Sequence, residues 1–84
     1  ETEVFPNPFH SRVAIKFRPA GPGRRLAIYN LNGQRVRRLV AERMANHIVW
    51  DGRDDQSRKL PAGVYVLEIT SSKIKRKVKI ILAQ

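Results

Sequence analysis

The sequence predicts an all-β domain, built as a sandwich or a barrel of short strands. Clusters of Pro, Gly, Asn and Asp interrupt the chain about every eight to twelve residues, which is the spacing of turns in such folds. Between these clusters, apolar and polar residues alternate with a period of two, the pattern of a strand with one buried and one solvated face. No apolar run approaches about 18 residues, so the sequence contains no transmembrane segment.

The length and composition are those of one small domain, which we place at residues 1–84. Hydrophobic residues make up 42% of the chain, so a core is available despite a net charge of +10. The absence of Cys excludes a disulfide scaffold, a thiolate zinc site and a cysteine nucleophile. Because the first residue is Glu1 rather than Met, we interpret the chain as a piece of a longer protein.

In the first half of the chain, alternation predicts strands that are separated by proline-rich and glycine-rich turns. Pro6 and Pro8 lack backbone donors, so the strand that precedes them is expected to be a short edge. A second strand is predicted at residues 13–17. The turn signals at 19–23 then lead into a third strand at 24–30.

The segment that follows carries two competing patterns. Asn32-Gly33 is a strong signal for a two-residue hairpin turn, since both residues tolerate positive φ, and it would join strands at 24–30 and 35–40. A helical spacing is also present, at Val36, Leu39, Val40 and Met44. The turn favours a strand through Leu39, and a turn of helix after Val40 stays an alternative.

The second half of the chain contains the expected core aromatic and the last two strands. Trp50 is the only Trp and follows Ile48 by two positions, which predicts that it packs between the sheets. Gly63 permits a sharp turn into a strand that carries Tyr65. In the final strand, alternation would bury Ile74, Val78, Ile80 and Leu82 and expose Lys75, Lys77 and Lys79.

Positive charge is concentrated on the last strand. The predicted basic face comprises Lys73, Lys75, Arg76, Lys77 and Lys79. One interpretation is a solvated face whose lysines discourage pairing of a terminal strand. Another is a surface that attracts anionic lipopolysaccharide or envelope glycan. Nucleic acid is disfavoured as a partner, because aromatic residues are only 7% of the chain and none is interleaved with the lysines.

Signals for catalysis or metal binding are weak. Asp51, Asp54 and Asp55 suggest a calcium site, but their spacing does not match an EF-hand loop. We favour a turn in which these carboxylates cap backbone N–H groups. His10 and His47 lie far apart in sequence, and no serine lies in a nucleophile motif. We therefore expect neither an enzyme nor a cofactor site in so small a domain.

An ordered series of short motifs extends along nearly the whole chain. They are VFPNPF at 4–9, VAIKF at 13–17, LAIYNLNG at 26–33, VRRL at 36–39, WDGRDD at 50–55, LPAGVY at 60–65 and KV at 77–78. This series resembles the C-terminal sorting domain of the type IX secretion system and the related immunoglobulin-like domain of the flagellar hook-capping protein. The resemblance implies an immunoglobulin-like β-sandwich of about seven antiparallel strands. Ser57 departs from the family, which commonly has Gly there.

The resemblance also implies a function and a set of partners. Such a domain is non-catalytic and directs an upstream cargo protein, after periplasmic transit, through the type IX machinery to the cell surface. A sortase-like surface protease then cuts upstream of the domain, and the cargo is often joined to anionic lipopolysaccharide. Sorting depends on the C-terminal segment, here Lys77, Val78, Lys79, Ile80, Ile81 and Leu82. An apolar terminal strand of this kind can also add to a partner's sheet.

Two other functions fit the same fold. The domain would serve as a passive spacer or cell-attachment module of a secreted hydrolase, binding anionic envelope glycans through its basic face. Alternatively, it would be a structural domain of a flagellar hook cap. A stop codon directly after Gln84 favours the sorting domain, whereas further protein favours the structural insert.

Overall fold

Seven β-strands make up the computed structural model, which describes residues 2–17, 23–72 and 74–83. The strands are β1 (Thr2–Phe5), β2 (Val13–Phe17), β3 (Arg24–Tyr29), β4 (Arg35–Ala41), β5 (His47–Trp50), β6 (Gly63–Ser71) and β7 (Ile74–Leu82). They form a three-stranded sheet in the order β1-β2-β5 and a four-stranded sheet in the order β4-β3-β6-β7. All pairings are antiparallel. The predicted immunoglobulin-like sandwich is therefore confirmed.

The core lies between the two sheets and is filled by alternate residues of the strands. Its buried members are Phe9, Val13, Ile15, Phe17, Leu26, Ile28, Ala41, Trp50, Tyr65, Leu67, Ile69, Ile80 and Leu82. Each large apolar side chain removed from water contributes about 1.5–3 kcal/mol. The predicted alternation is confirmed in β2, β3 and β6.

The first half of β7 departs from the predicted pattern. Ile74 is 59% exposed rather than buried, and Arg76, which shares its face of the strand, is also exposed. Val78 is half-buried, and burial is complete only at Ile80. Among the residues that the structure describes, burial of this face of β7 therefore begins only at Val78.

The β3–β4 hairpin has a longer loop than the predicted two-residue turn. The Asn30 side chain accepts hydrogen bonds from the N–H groups of Asn32 and Gln34, both at 3.0 Å. Gly33 takes a positive φ of 81°, and Asn32 does not. A shift of register at Tyr29 accommodates the extra residue. The segment 35–41 is a strand, so the choice against a helix is confirmed.

An aromatic cluster closes one end of the sandwich. Trp50 is fully buried, with ring centroids 5.4 Å from Phe9 and 5.7 Å from Tyr65. Its indole N–H donates to the carbonyl of Arg53 at 3.0 Å, so its polar atom is satisfied. The hydroxyl of Tyr65 donates to the carbonyl of Pro61 at 2.6 Å. The predicted core position of Trp50 is confirmed.

No helix among residues 2–17, 23–72 and 74–83 is long and apolar enough to cross a membrane. The turn signals predicted at 19–23 fall mostly on residues outside the described ranges.

Candidate functional site

The C-terminal strand β7 lies at the edge of the four-stranded sheet, and a short N-terminal segment covers half of that edge. We call this segment, residues 7–9, the clasp. Asn7 donates through Nδ2 to the carbonyl of Lys79 at 3.0 Å, and its Oδ1 accepts from the N–H of Ile81 at 2.9 Å. Phe9 donates its N–H to the carbonyl of Ile81 at 2.9 Å and accepts from the N–H of Ala83 at 2.7 Å.

The clasp works because one side chain imitates a peptide group. Pro6 and Pro8 have no N–H, so this stretch of backbone cannot pair fully as a strand. The side-chain amide of Asn7 has an N–H donor and an oxygen acceptor, as a peptide group has, and it bonds to the edge of β7 through both. Phe9 then holds the clasp in place, because its ring is fully buried against Trp50.

The loop after Trp50 contains a glycine whose backbone conformation, rather than a lack of space, requires that residue. Gly52 has a φ of 75°, a conformation that side chains other than glycine rarely adopt. A Cβ at this position would lie 3.5 Å from a ring carbon of Phe9 and 3.6 Å from the side chain of Leu82. The clasp, the loop after Trp50 and the end of β7 therefore meet at one place.

The structure separates the predicted sorting residues into two groups. Ile80 and Leu82 point into the core and are almost fully buried, so their side chains hold the strand to the core. Lys77 and Lys79 are exposed on the outer side, while Val78 and Ile81 are half-buried. Over residues 79–83 the clasp occupies the outward backbone groups of the strand to which a partner strand was expected to add.

The first half of the β7 edge is not covered by the clasp. In an antiparallel pair, successive residues direct their N–H and C=O groups alternately to the two sides of the strand. Lys79 and Ile81 direct theirs to the clasp, so Lys75 and Lys77 direct theirs to the same free side. Among the described residues, the part of the edge that the clasp leaves unpaired is therefore Ile74–Val78.

The predicted basic face is also rearranged by the fold. Lys75, Lys77 and Lys79 lie on the outer side of β7, but Arg76 lies on the opposite side of the strand. Lys73 is outside the described residues. Other exposed cations share the outer face of the sheet with the lysines, namely Arg25 on β3 and Arg35 and Arg38 on β4. The sequence alone does not show this grouping, because it depends on the order of the strands in the sheet.

The acidic loop is a hydrogen-bonded turn. Asp51 accepts from the N–H of Arg53 at 3.1 Å and from Arg37, also at 3.1 Å. Asp54 accepts from the N–H groups of Arg58 and Gln56 at 2.9 Å and pairs with the Arg58 guanidinium. Asp55 accepts from the N–H of Arg38 at 3.0 Å.

These contacts also bear on the chemistry of the loop. The pKa of Asp54 is lowered from its ordinary 3.8, chiefly because the Arg58 backbone N–H donates to its carboxylate, while burial acts against this effect. Within the described residues, no three His, Cys, Asp or Glu side chains come together as a metal site. The capped turn accounts for Asp51, Asp54 and Asp55, and calcium binding is not needed to explain them.

An open cleft lies beside the clasp, with a volume of about 780 Å³. Its walls come from the segments after the clasp, after Trp50 and before β6, and from the end of β7. The first of these segments directly follows the motif VFPNPF, and two others contribute residues of WDGRDD and LPAGVY, which are far apart in sequence. The motifs are therefore brought together around the C-terminal strand. The role of Asn7 at the strand edge had one signal in the sequence, which is a polar residue between two prolines.

Comparison with known proteins supports a single family. A model described as a secretion system C-terminal sorting domain matches residues 3–83. No curated protein matches the chain.

Two solved structures share the fold. PorZ of Porphyromonas gingivalis, described as an essential bacterial surface component of the type-IX secretion system, is 20% identical with a TM-score of 0.77. Dimeric latent PorU from the same organism is 22% identical with a TM-score of 0.73. Each match covers 99% of this chain, which spans 11% of the PorZ chain and 9% of the PorU chain. Since the family model covers nearly all of the sequence, this chain belongs to the family of secretion system C-terminal sorting domains.

Proposed function

We propose that the domain is read by the type IX secretion machinery through the C-terminal segment Lys77–Leu82, on behalf of a covalently linked upstream cargo. The observation that carries this proposal is the family match over residues 3–83. Membership implies interaction with the type IX machinery and secretion to the cell surface or extracellular space. Within the segment, the exposed side chains of Lys77 and Lys79 are the groups that a partner would contact first.

The fold supports different roles for the buried and the exposed residues of this segment. Ile80 and Leu82 anchor the strand in the core, and the clasp holds its outer edge. Lys79 projects from the part of the strand that β6 and the clasp hold on both sides, and Lys77 from the part that pairs with β6, so both are presented in a defined geometry. A cationic surface of this kind increases the rate of encounter with an acidic partner.

The test is a fusion of residues 1–84 to the C-terminus of a folded reporter with a signal peptide, in a bacterium with a type IX system. We expect the intact fusion to leave the cell envelope and a fusion that lacks residues 77–84 to remain in the periplasm. Export of the truncated fusion at the level of the intact one would show that this segment is not the signal.

Truncation removes Ile80 and Leu82 and therefore also threatens the fold. A second variant changes Lys75, Lys77 and Lys79 to Gln, which preserves the core. Its charge-matched control changes Arg12, Arg43 and Lys59 to Gln, exposed residues outside β7. Reduced export of the β7 variant alone supports reading of the lysines, and equal export of both variants contradicts it.

Two finer elements of the proposal concern events outside the cell. The domain would be placed on the outer membrane exterior, where a sortase-like protease removes it from its cargo. The alternative is a passive attachment module that holds envelope lipopolysaccharide or glycan through the outer lysines. If the Gln variant of β7 is exported normally but is released from the envelope, attachment rather than sorting is the role of these lysines.

A further inference from the structure

The two outer faces of the sandwich differ sharply in charge. Six exposed cations lie on the outer face of the four-stranded sheet, Arg25, Arg35, Arg38, Lys75, Lys77 and Lys79. Within the part of the chain that the structure describes, none of the six forms an ion pair. On the outer face of the three-stranded sheet, by contrast, Glu3 lies directly opposite Lys16. Positive charge is thus concentrated on one face.

Five of the six cations form two rows with a shallow trough between them, and Arg25, on β3, lies within the trough. Arg35 and Arg38 lie on β4 and the lysines on β7, at opposite edges of the sheet. Three strand spacings separate these edges, about 14 Å. The floor of the trough consists of the half-buried residues Ala27, Val66, Glu68 and Thr70. A groove of about 300 Å³ lies on its β4 side, lined in part by all three arginines, Ala27, Glu68 and Thr70.

The centre of the trough contains a carboxylate. Glu68 lies between Ala27 and Lys77 in the strand register, and it makes no ion pair with that lysine. A carboxylate there repels an anionic group placed directly over it, so the charged groups of a ligand have to lie to either side of Glu68. It accepts hydrogen bonds from neutral hydroxyl groups. Thr70, two residues along the same face, adds a hydroxyl that both donates and accepts.

We propose that this trough binds an acidic polysaccharide that lies along the strands. Its carboxylate or phosphate groups contact the arginine and lysine rows, and its sugar hydroxyls contact Glu68 and Thr70. Arginine suits this role because its guanidinium binds such anions through two parallel hydrogen bonds. The inference rests on the proposed function, because a domain exported from the cell meets envelope glycans.

Nucleic acid fits the same surface less well. Single-stranded nucleic acids bind through aromatic side chains on which the bases stack. Tyr29 is the one aromatic residue that the described strands place on this outer face, and it is half-buried. The large aromatic surfaces of Trp50, Phe9 and Tyr65 are in the core.

The experiment measures binding of the 84-residue domain by titration calorimetry at low salt. The probes are a polygalacturonate oligosaccharide, a phosphate-bearing mannan, neutral dextran and oligo-dT. We expect one or both acidic glycans to bind and dextran not to bind. The double variant Arg25→Gln, Arg38→Gln should weaken glycan binding about tenfold, the loss of one to two charge-assisted hydrogen bonds. The charge-matched control Arg12→Gln, Arg43→Gln should change it less than about twofold.

Glu68→Gln distinguishes the two ligand classes. This variant removes the negative charge but keeps an acceptor for sugar hydroxyl groups, so it should strengthen binding of oligo-dT more than binding of the acidic glycans. If the control Arg12→Gln, Arg43→Gln weakens glycan binding as much as Arg25→Gln, Arg38→Gln does, the proposal is overturned. Binding would then depend on the net charge of the domain and not on the trough. Tighter binding of oligo-dT than of either glycan would overturn it in favour of nucleic acid.

The export assay separates this proposal from the sorting function. A reporter fusion that carries Arg25→Gln and Arg38→Gln should leave the cell envelope as the unaltered fusion does, while the purified variant binds glycan weakly. If the unaltered domain does not bind glycan while its fusion is exported normally, only the trough proposal is overturned. Normal glycan binding with failed export of the unaltered fusion would contradict the sorting function and leave the trough standing.

Discussion

At the scale of single residues, a few side chains connect parts of the chain that are distant in sequence. Trp50 contacts the clasp through Phe9 and the β6 strand through Tyr65. Its indole N–H is satisfied by the loop that follows it. A residue that joins both sheets and two loops carries a large share of the stability of so small a domain.

Replacing Trp50 with Ala should lower the free energy of unfolding by about 3–5 kcal/mol, because a large cavity would remain at the centre of the core. Urea unfolding followed by circular dichroism measures this loss. Leu31→Ala is a suitable control, since Leu31 is 71% exposed and its truncation should cost less than about 0.5 kcal/mol. Native Trp fluorescence typical of full exposure to water would contradict the buried position.

Ser57 occupies a position that favours glycine. Its φ is 65°, in the left-handed region, which is costly for residues with a Cβ. This geometry explains the Gly that the resemblance leads one to expect there. Ser57→Gly should therefore raise the unfolding free energy by about 0.5–1 kcal/mol. Ser11→Gly, at a position without positive φ, should have no stabilising effect, and a gain there as large as at Ser57 would contradict the conformational explanation.

Asp54 makes stability dependent on pH at the acid end. Because its pKa is lowered from 3.8 in the folded state, its contribution is fully present above that value and is lost as the pH falls through the folded pKa. The melting temperature should therefore fall when the pH is lowered below about 4. Asp54→Asn should reduce this fall, measured by thermal melts at a series of pH values. An unchanged pH dependence in the variant would assign the acid sensitivity to other groups.

At the scale of elements, β7 is an edge strand that is protected in two different ways. The clasp covers its second half with side-chain and backbone hydrogen bonds. The clasp does not reach its first half, which carries lysines that oppose uncontrolled pairing with another strand. The two halves of the strand edge are thus protected by different means.

Removing the clasp amide should loosen the end of β7. Asn7→Ala deletes the hydrogen bonds to Lys79 and Ile81 and should cost about 1–2 kcal/mol of unfolding free energy. Amide exchange at Ile81 should accelerate, because its N–H loses its acceptor. Asn32→Ala, in the exposed hairpin loop, is the matched control. Unchanged protection of the Ile81 amide would mean that Asn7 does not hold the edge.

At the scale of the whole molecule, charge is distributed unevenly over a small body. The net charge is +10, and six of the cations share one outer face without ion pairs among the described residues. Repulsion among like charges destabilises the compact state. The same field attracts anionic ligands, so the property that costs stability is the one from which we infer glycan binding.

Added salt should therefore stabilise the domain. Raising ionic strength to about 0.5 M screens the repulsion and should raise the melting temperature by several degrees. Changing Lys75, Lys77 and Lys79 to Gln should raise the melting temperature at low salt and reduce its salt dependence. A melting temperature that falls with salt would show that attractive ion pairs, such as Arg58–Asp54, outweigh the repulsion.

Local patterns in the sequence determined the strands and much of the core. The period of two in β2, β3 and β6 directly records which side chains face inward, and Trp50 follows the same rule. Turn chemistry decided that residues 35–41 form a strand although their spacing also allowed a helix. These features are predictable because each depends on neighbours within a few residues.

Only the tertiary structure decided what surrounds the terminal strand. The clasp joins Asn7 to Ile81, residues separated by 74 positions, and no local pattern encodes a pairing over such a distance. The composition of the outer trough likewise depends on the sheet order β4-β3-β6-β7, which places the arginines of one hairpin opposite the lysines of another. Strand order and register are chosen by the free energy of the whole core, so both sites became visible only when the strands were assembled.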